Sequence, residues 1–376
     1  MEYFTDFSSR KTPLARPEVE RMVRYSAPLE GRRDLLRLDF NENTIGPSPK
    51  VFDAIKNITS KEISIYPEYN GLQQAIANNL NPSRLFTHLD PLQVGLFNGV
   101  DAGIHSIFYA YGDKSKTLLT TTPTFGYYHS CASMQGMKII QIPYEGKKFA
   151  YPFTKIYQYL TDLKPTILII CNPNNPTGTN LSPQKIIKLA QAAPETLVVI
   201  DEVYEAFSGG SVVPVVNFKK TPNLLVLRSL SKTTGLAGLR IGFALGHADL
   251  INRLTRMTGP YDINSFAVAA AFAALQDQAY VDNYVTEVLK ARDWIQKQLL
   301  TTKVRHHIEA GNYFLIWPNH DVNKVESALR SKGILVRNME GKKLINGSLR
   351  VSIGTTKQMK QFWETYQVID KLSASN

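Results

Sequence analysis

Apolar runs alternate with longer polar and amphipathic stretches along the middle of the chain. Three of the runs, at residues 166–171, 196–200 and 224–227, are almost uninterrupted. Runs of this length and continuity are typical of strands that are covered on both faces, as in a parallel sheet. The stretches between them are long enough for crossover helices, so the pattern predicts an α/β domain with a mainly parallel sheet.

The periodicity on both sides of this region predicts further elements. Residues 36–40 alternate like a short strand, and residues 72–80 have the spacing of an amphipathic helix. A helical pattern starts at residue 264 and continues to about residue 300, after which the apolar segments follow the order strand, helix, strand, strand, helix. A second, small α+β domain is therefore expected.

The length of the chain also favours two domains, because 376 residues exceed the usual size of one hydrophobic core. Residues 1–35 are polar, contain three prolines and show no clear period, so we interpret them as an N-terminal arm. We assign residues 46–262 to the large domain, and residues 36–45 together with 263–376 to the small domain.

The composition narrows the classes of function. The net charge is +11 at pH 7, but the lysines and arginines are scattered in short doublets, so no nucleic-acid footprint is predicted. The longest apolar run, residues 266–275, is too short to span a membrane, and residues 1–16 lack the apolar segment of a secretory signal. With only Cys131 and Cys171 and no metal-ligand spacing among the histidines, we expect a cytoplasmic protein without disulfides, metal or membrane contact.

The stretch that is most informative about chemistry follows the apolar run at 224–227. Residues 228–242 have the sequence Arg-Ser-Leu-Ser-Lys-Thr-Thr-Gly-Leu-Ala-Gly-Leu-Arg-Ile-Gly, so Lys232 is expected at the carboxyl end of a strand, where open α/β sheets bind ligands. Nearby hydroxyl groups, glycines and Arg240 suit an amine that bonds covalently to an anionic cofactor. Taken alone, the fragment fits a solvated loop lysine equally well.

Three other motifs resolve this ambiguity. Asn-Pro-Asn-Asn-Pro-Thr-Gly at 172–178 and Asp-Glu-Val-Tyr at 201–204 follow two of the apolar runs, and Leu-Arg-Val-Ser-Ile-Gly-Thr stands at 349–355. Together and in this order, the motifs resemble the fold-type I aminotransferases that use pyridoxal phosphate (PLP), most closely the histidinol-phosphate aminotransferase branch. The resemblance covers nearly the whole chain. It implies a PLP-dependent transferase fold of type I, with a mainly parallel seven-stranded sheet sandwiched by helices in the large domain, plus a small α+β domain.

The resemblance implies roles for five residues around the cofactor ring. Lys232 would bind the PLP aldehyde as a Schiff base and then serve as the base that moves the substrate proton. Asp201 would keep the pyridine nitrogen protonated, because an adjacent carboxylate favours the cationic form. Asn175 and Tyr204 would share the phenolic oxygen. Phe125 would stack on the ring, with a plain core position as its alternative.

A phosphate-binding turn is predicted between a strand at 94–97 and a helix at 102–111. Such a turn offers backbone N–H groups to an anion, and its members here are Gly99, Val100 and Asp101. The resembling family usually has Gly-Ser-Asp-Glu or Gly-Thr-Asp-Glu, whereas this chain has Gly-Val-Asp-Ala, which removes side-chain donors. The resemblance adds four more phosphate ligands: Ser229, Ser231, Arg240 and, from the other subunit of a homodimer with shared sites, Tyr66.

The resemblance implies that Arg350 holds a carboxylate and that Arg337 is a second substrate arginine, with an exposed charge as its alternative. Tyr25 and Asn43 are the remaining substrate residues, although Tyr25 also fits a packing anchor. Two guanidinium groups converging with Tyr25 would suit a dianion. We therefore expect transfer of an amino group from L-histidinol phosphate to the 2-oxo acid 2-oxoglutarate, a step of histidine biosynthesis.

Three other functions are compatible with the same residues. The first is transamination of aromatic amino acids such as phenylalanine or tyrosine. The second is decarboxylation of a phosphorylated threonine, and the third is a PLP-binding protein without turnover. Fold analogy does not discriminate among them, because substrate identity depends on the shape of the pocket.

Overall fold

The computed structural model describes residues 12–23, 28–80 and 88–371. The strands are β1 (Leu36–Leu38), β2 (Val94–Asn98), β3 (Thr117–Thr122), β4 (Lys138–Pro143), β5 (Ile167–Cys171), β6 (Leu197–Asp201), β7 (Leu224–Ser229), β8 (Ile241–Leu245), β9 (His306–Ile308), β10 (Tyr313–Ile316), β11 (Ile334–Asn338) and β12 (Leu349–Ser352). The helices are α1 (Pro17–Glu20), α2 (Pro49–Lys56), α3 (Ser60–Ser64), α4 (Asn70–Leu80), α5 (Gly99–Tyr111), α6 (Tyr127–Met134), α7 (Phe153–Leu163), α8 (Pro183–Ala192), α9 (Ala248–Thr255), α10 (Ser265–Leu275), α11 (Gln278–Thr302), α12 (Val322–Ser331) and α13 (Thr356–Ile369).

The larger sheet has seven strands in the order β2-β8-β7-β6-β5-β3-β4. Every neighbouring pair is parallel except the two pairs that include β8, which confirms the predicted mainly parallel seven-stranded sheet. The three apolar runs form the adjacent strands β5, β6 and β7, and every residue of β5 and β6 is buried. Because these strands are parallel, the motifs that follow them meet at one edge of the sheet.

The smaller sheet has five strands in the order β1-β11-β12-β10-β9. Strand β1 pairs in parallel with β11, so the segment after the N-terminal arm joins the C-terminal strands. One apolar cluster includes residues of both sheets, such as Phe97, Leu227, Phe314 and Val351. The two sheets thus share a continuous core at the place where the motifs lie. The division into residues 36–45, 46–262 and 263–376 stays a prediction.

Several predicted boundaries differ from the structure. Helix α5 begins at Gly99, so residues 99–101 form its first turn and not a separate loop before it. The helical pattern from residue 264 to 300 forms two helices, α10 and α11, because the backbone of Asp277 between them is not helical, with φ −122° and ψ 53°. The side chain of Asp277 accepts a hydrogen bond from Ser48 and pairs with Lys50 at 3.4 Å. Strand β9 was missed. Within the described residues, no helix is both long and apolar enough to cross a membrane.

Candidate active site

A cavity of about 430 Å³ lies at the edge of the larger sheet where β5, β6 and β7 end. Lys232, Tyr204 and Asn175 line it from the motifs that follow these strands. Arg337 and Arg350 line it from the smaller sheet. The structure therefore brings together residues from four motifs that are far apart in sequence.

Lys232 lies in this cavity with its amine close to backbone and aromatic groups. Its Nζ donates a hydrogen bond to the carbonyl oxygen of Phe40 at 3.0 Å and lies 5.8 Å from the ring centroid of Tyr204. Burial, followed by the positive charge of Arg350, lowers the pKa of the Lys232 amine to about 8. At neutral pH a larger fraction of this amine is therefore neutral, and hence nucleophilic, than for an ordinary lysine.

Asp201 ends β6 as a buried carboxylate. It accepts hydrogen bonds from Tyr128 Oη at 2.5 Å and from the backbone N–H of Val203 at 3.2 Å, and no cationic side chain in the described part of the chain forms an ion pair with it. Burial raises the pKa of Asp201 to about 6, while the hydrogen bond from Tyr128 opposes this shift. A buried carboxylate without a cation is costly, so a positive group bound beside it would be strongly favoured.

Tyr128 was not assigned a role from the sequence. It is fully buried on α6, lines the cavity and donates its hydroxyl hydrogen bond to Asp201. Phe125 lines the same wall and contacts Tyr128 edge to face, with 5.4 Å between the ring centroids. The half-buried ring of Phe125 is thus available to a flat ligand as well as to the core.

The hydroxyl of Tyr204 accepts two amide hydrogen bonds. Asn175 Nδ2 donates at 3.2 Å, and Asn41 Nδ2 donates at 3.1 Å. Asn41 has a positive φ of 55° and is held by Ser352, whose Oγ accepts from its backbone N–H at 2.8 Å. The segment around Asn41 therefore lies against β12, and this contact fixes the position of Asn41.

The segment 39–41 contacts three of the predicted site residues in succession. The carbonyl oxygen of Asp39 accepts a hydrogen bond from Arg350, that of Phe40 accepts from Lys232, and Asn41 donates to Tyr204. Sequence patterns gave no indication of these contacts. Their only signal was that residues 39–41 end the alternating strand and open the Asn-Glu-Asn motif.

Asn43 was the residue of that motif predicted to bind substrate, and it does not line the cavity. Its Nδ2 donates to the carbonyl oxygen of Thr233 at 2.9 Å, and its Oδ1 accepts from the backbone N–H groups of Ile45 and Gly46 at 2.9 and 3.0 Å. The side chain thus fastens its own loop to the residue after Lys232.

Arg32 holds the segment 39–42 in place. Its guanidinium donates to Asp39 at 2.7 and 2.9 Å and to Glu42 at 2.9 Å, and it stacks 4.0 Å from the ring centroid of Phe40. Arg32 and Asp39 are both buried. A bidentate pair of this kind fixes backbone geometry, here that of the carbonyl groups facing Lys232 and Arg350.

The predicted phosphate site lies where α5 meets β7 and β8. Gly99 has a positive φ of 76°, which L side chains rarely adopt, and a Cβ on Gly242 would lie 2.4 Å from the backbone nitrogen of Val100, so both positions require glycine. Ser229, which pairs with Gly242 across the strands, donates from its Oγ to Ser231 Oγ at 2.9 Å.

Asp101 in the first turn of α5 accepts from Arg240 at 2.9 Å and so fixes the guanidinium beside the helix N-terminus. This helix end offers backbone N–H groups, and the neighbouring hydroxyl groups of Ser229 and Ser231 add further donors. The set of donors and the positive charge of Arg240 suit a phosphate group.

Arg337 and Arg350 face each other across the antiparallel pair β11–β12. Arg350 is buried and donates from Nη1 to Asn175 Oδ1 at 2.8 Å, whereas Arg337 is half-buried with its guanidinium carbon 5.8 Å from the Phe40 ring centroid. Residues directly opposite each other in an antiparallel pair point to the same face of the sheet. Both side chains reach the cavity.

Among the described residues, several predicted site residues do not line this cavity: Asn43, Tyr66, Asp201 and the phosphate-site residues Gly99, Val100, Asp101, Ser229, Ser231 and Arg240. Tyr66 is 66% exposed and stacks on Tyr261, with 3.7 Å between the ring centroids. Tyr25 lies outside the described residues. No group of three or more histidine, cysteine, aspartate or glutamate side chains suited to a metal ion occurs in residues 12–23, 28–80 and 88–371.

Comparison with known proteins identifies the family. The aminotransferase class I and II model matches residues 33–365. The chain belongs to this family. A histidinol-phosphate aminotransferase of Pseudomonas syringae is 30% identical over 96% of this chain and 98% of its own length. One of Clostridium beijerinckii is 33% identical over 91% of this chain and 92% of its own.

A solved structure of the family has the same fold. It is the histidinol-phosphate aminotransferase of Sinorhizobium meliloti in complex with pyridoxal-5'-phosphate. The TM-score is 0.84, with 21% sequence identity and coverage of 97% of this chain and 99% of that chain. At this identity the likeness concerns the arrangement of the backbone, so side-chain roles in this aminotransferase must be argued from its own geometry.

Proposed function

We propose that this chain is a PLP-dependent aminotransferase whose amino donor is L-histidinol phosphate and whose acceptor is 2-oxoglutarate. One observation carries the proposal: a buried lysine with a pKa lowered to about 8 shares a site with a buried carboxylate that has no cationic partner among the described residues. Asp201 ends β6 and Lys232 follows the neighbouring parallel strand β7, so both groups lie at the same edge of the sheet. A ligand that bears an aldehyde and a protonated ring nitrogen satisfies both.

The residues present fit PLP at each of its polar groups. Lys232 would bind the aldehyde carbon, and Asp201 would face the ring nitrogen. The phenolic oxygen would meet Asn175 and Tyr204, and Phe125 would cover one face of the ring. The phosphate would be held by a group of donors at the α5 N-terminus and the ends of β7 and β8: Gly99, Val100, Ser229, Ser231 and Arg240.

When bound, PLP withdraws electrons from the substrate carbon that loses a proton. The chain's residues would supply the proton transfer and the electrostatics. The amine of Lys232 would remove the proton from that carbon and deliver it to the aldehyde carbon of the cofactor, for which a pKa of about 8 is suitable. Asp201 would stay ionised beside a positive ring nitrogen, and Tyr128 would hold its carboxylate in place by the hydrogen bond at 2.5 Å.

The choice of a phosphorylated donor is supported by Arg337 and Arg350. They lie opposite each other on β11 and β12 and both line the cavity. Opposing like charges destabilise a sheet, so an anion that binds both guanidinium groups would be strongly favoured. The two carboxylates of 2-oxoglutarate would use the same groups in the second half of the reaction.

Aromatic amino acids are a second candidate class of donor. Phe40, Phe125, Tyr128 and Tyr204 line the cavity, and aromatic side chains of a substrate would pack well against them. This candidate needs only one arginine for the substrate carboxylate, so it leaves Arg337 without a function.

A shared active site in a homodimer, in the cytoplasm, is part of the proposal. Ile63, Ile65, Tyr66 and Tyr261 are all more than half exposed. Tyr66 stacks on Tyr261, and Ser265 Oγ donates to the carbonyl oxygen of Glu62 at 2.7 Å, so the two exposed segments are next to each other. Exposed apolar surface of this kind is typical of an interface. Tyr66 would then reach the phosphate of the partner subunit.

A panel of amino donors tests the function. The holoenzyme is mixed with L-histidinol phosphate, phenylalanine, tyrosine or O-phosphothreonine, and the cofactor absorbance is followed in a single half-reaction. Histidinol phosphate should convert the cofactor fastest, and 2-oxoglutarate should restore it. Faster conversion by phenylalanine, carbon dioxide release from O-phosphothreonine, or no conversion by any donor would each contradict the proposal.

A further inference from the structure

The loop between β11 and β12 carries two lysines that no motif pointed to. Lys342 and Lys343 line the cavity together with Arg337 and Arg350. One hairpin therefore supplies four of the five lysine and arginine side chains at the cavity, the fifth being Lys232. None of the described residues that line the cavity is an aspartate or a glutamate.

The loop is fixed by internal contacts, so the lysines are held near the cavity. Ile345 is buried in an apolar cluster with Met339 and Trp317, and Trp317 Nε1 donates to the carbonyl oxygen of Asn346 at 3.1 Å. The backbone N–H of Ile345 donates to the carbonyl oxygen of Lys342 at 3.2 Å, which closes a turn around Lys343. The packing of Ile345 therefore fixes the position of the backbone that carries both lysines.

Both lysine side chains are exposed, and neither forms an ion pair within the described ranges of the chain. Other surface lysines do form ion pairs, such as Lys114 with Glu18 at 2.9 Å. Uncompensated positive charges around a concave site create a potential that attracts anions. The attraction would be strongest for a ligand that carries two negative charges on one group.

We propose that Lys342 and Lys343 form a second anion-recognition element, which selects amine donors that carry a phosphate monoester over donors that carry a single carboxylate. This inference rests on the proposed aminotransferase function. A carboxylate can be bound by Arg350 alone, whereas a phosphate dianion gains from each further cation of the hairpin. Because the lysines are exposed, their contribution is to association and ionic-strength dependence more than to tight contact.

The test compares two double variants of equal charge. In K342Q/K343Q the hairpin lysines are neutralised. The control K219Q/K220Q neutralises two exposed lysines that are also consecutive in sequence but do not line the cavity. In the K342Q/K343Q holoenzyme, kcat/KM for L-histidinol phosphate should fall about tenfold, whereas kcat/KM for phenylalanine should change by less than about twofold. The decrease of kcat/KM with NaCl concentration should become shallower for histidinol phosphate only.

Binding without turnover provides a second readout. Calorimetry with 3-phenylpropyl phosphate, which has no amine, should show weaker binding to K342Q/K343Q than to the control, and K342R/K343R should bind it as the unmodified protein does. Equal losses for histidinol phosphate and phenylalanine, or the same loss in K219Q/K220Q, would overturn the inference. Failure of the proposed function is distinct, because it is seen in the unmodified holoenzyme, which would then prefer phenylalanine, release carbon dioxide from O-phosphothreonine or convert no donor.

Discussion

The guanidinium of Arg228 and the buried carboxylate of Glu202 form an ion pair, with 3.0 Å between Nη2 and Oε2. Glu202 follows Asp201 at the end of β6, and Arg228 lies near the end of β7, just before the loop of Lys232. The pair therefore joins the two strand ends that carry the proposed base and the proposed ring partner. Ser211 Oγ donates to the same carboxylate at 2.7 Å.

Replacement of Arg228 by methionine should destabilise the protein strongly. It leaves Glu202 buried without its cation, and loss of one partner of a buried pair costs about 3 kcal/mol or more. The free energy of unfolding, measured by urea denaturation of the apoprotein, should fall by that amount. The double variant R228M/E202Q should recover part of the loss, and an unchanged urea midpoint for R228M would show that the pair does not hold the strand ends.

Replacement of Arg337 by alanine should separate the two classes of donor. Arg337 lies opposite Arg350 but is not needed for a single carboxylate, so its loss should lower kcat/KM for histidinol phosphate by about 10- to 100-fold, as for a charge-assisted hydrogen bond. For phenylalanine the change should stay below about threefold. R350A is the matched control, and it should impair both donors. Equal losses in R337A would favour aromatic donors.

The pKa of Lys232 makes cofactor uptake dependent on pH. Its pKa is lowered to about 8 in the folded protein, so the amine is protonated below that pH and neutral above it. Only the neutral amine is nucleophilic, so the rate constant of PLP uptake by the apoprotein should rise with pH and level off above about 8. Stopped-flow absorbance measures this profile. A midpoint close to 10.5, the ordinary value for lysine, would mean that burial does not perturb the amine.

Replacement of Tyr66 by phenylalanine tests the shared site. If the hydroxyl binds the phosphate of the partner subunit, Y66F should lose PLP about tenfold more readily during dialysis, which is the effect of about one hydrogen bond to a charged group. Tyr109 is a suitable control, because it is also more than half exposed and Y109F should retain the cofactor. Full activity of a monomer at high dilution would be incompatible with a shared site.

The central strands and their motifs were predictable because local pattern determines them. The runs that became β5, β6 and β7 are apolar throughout, and parallel strands place their following residues at one edge. The sequence alone therefore predicted that Asn175, Asp201 and Lys232 lie at the same edge of the sheet. Local pattern also placed Arg350 on a strand, because apolar and polar residues alternate from Leu349 to Ile353.

The contacts that could not be predicted join distant parts of the chain. The backbone of Asn41 binds Ser352, a residue 311 positions away, and this contact decides that Asn41 and not Asn43 reaches Tyr204. The register of β1 against β11 determines where Asn41 lies, and no periodicity within residues 36–45 predicts that register. The presence of Lys342 and Lys343 at the cavity likewise depends on the turn of a hairpin, not on a motif.

The central claim is that Lys232 bonds covalently to the cofactor. The holoenzyme is reduced with borohydride, digested with trypsin and examined by mass spectrometry. The mass of the reduced pyridoxyl phosphate group should appear on the peptide of residues 229–240, with Lys232 uncleaved. The same mass on another peptide, or on none, would contradict the account.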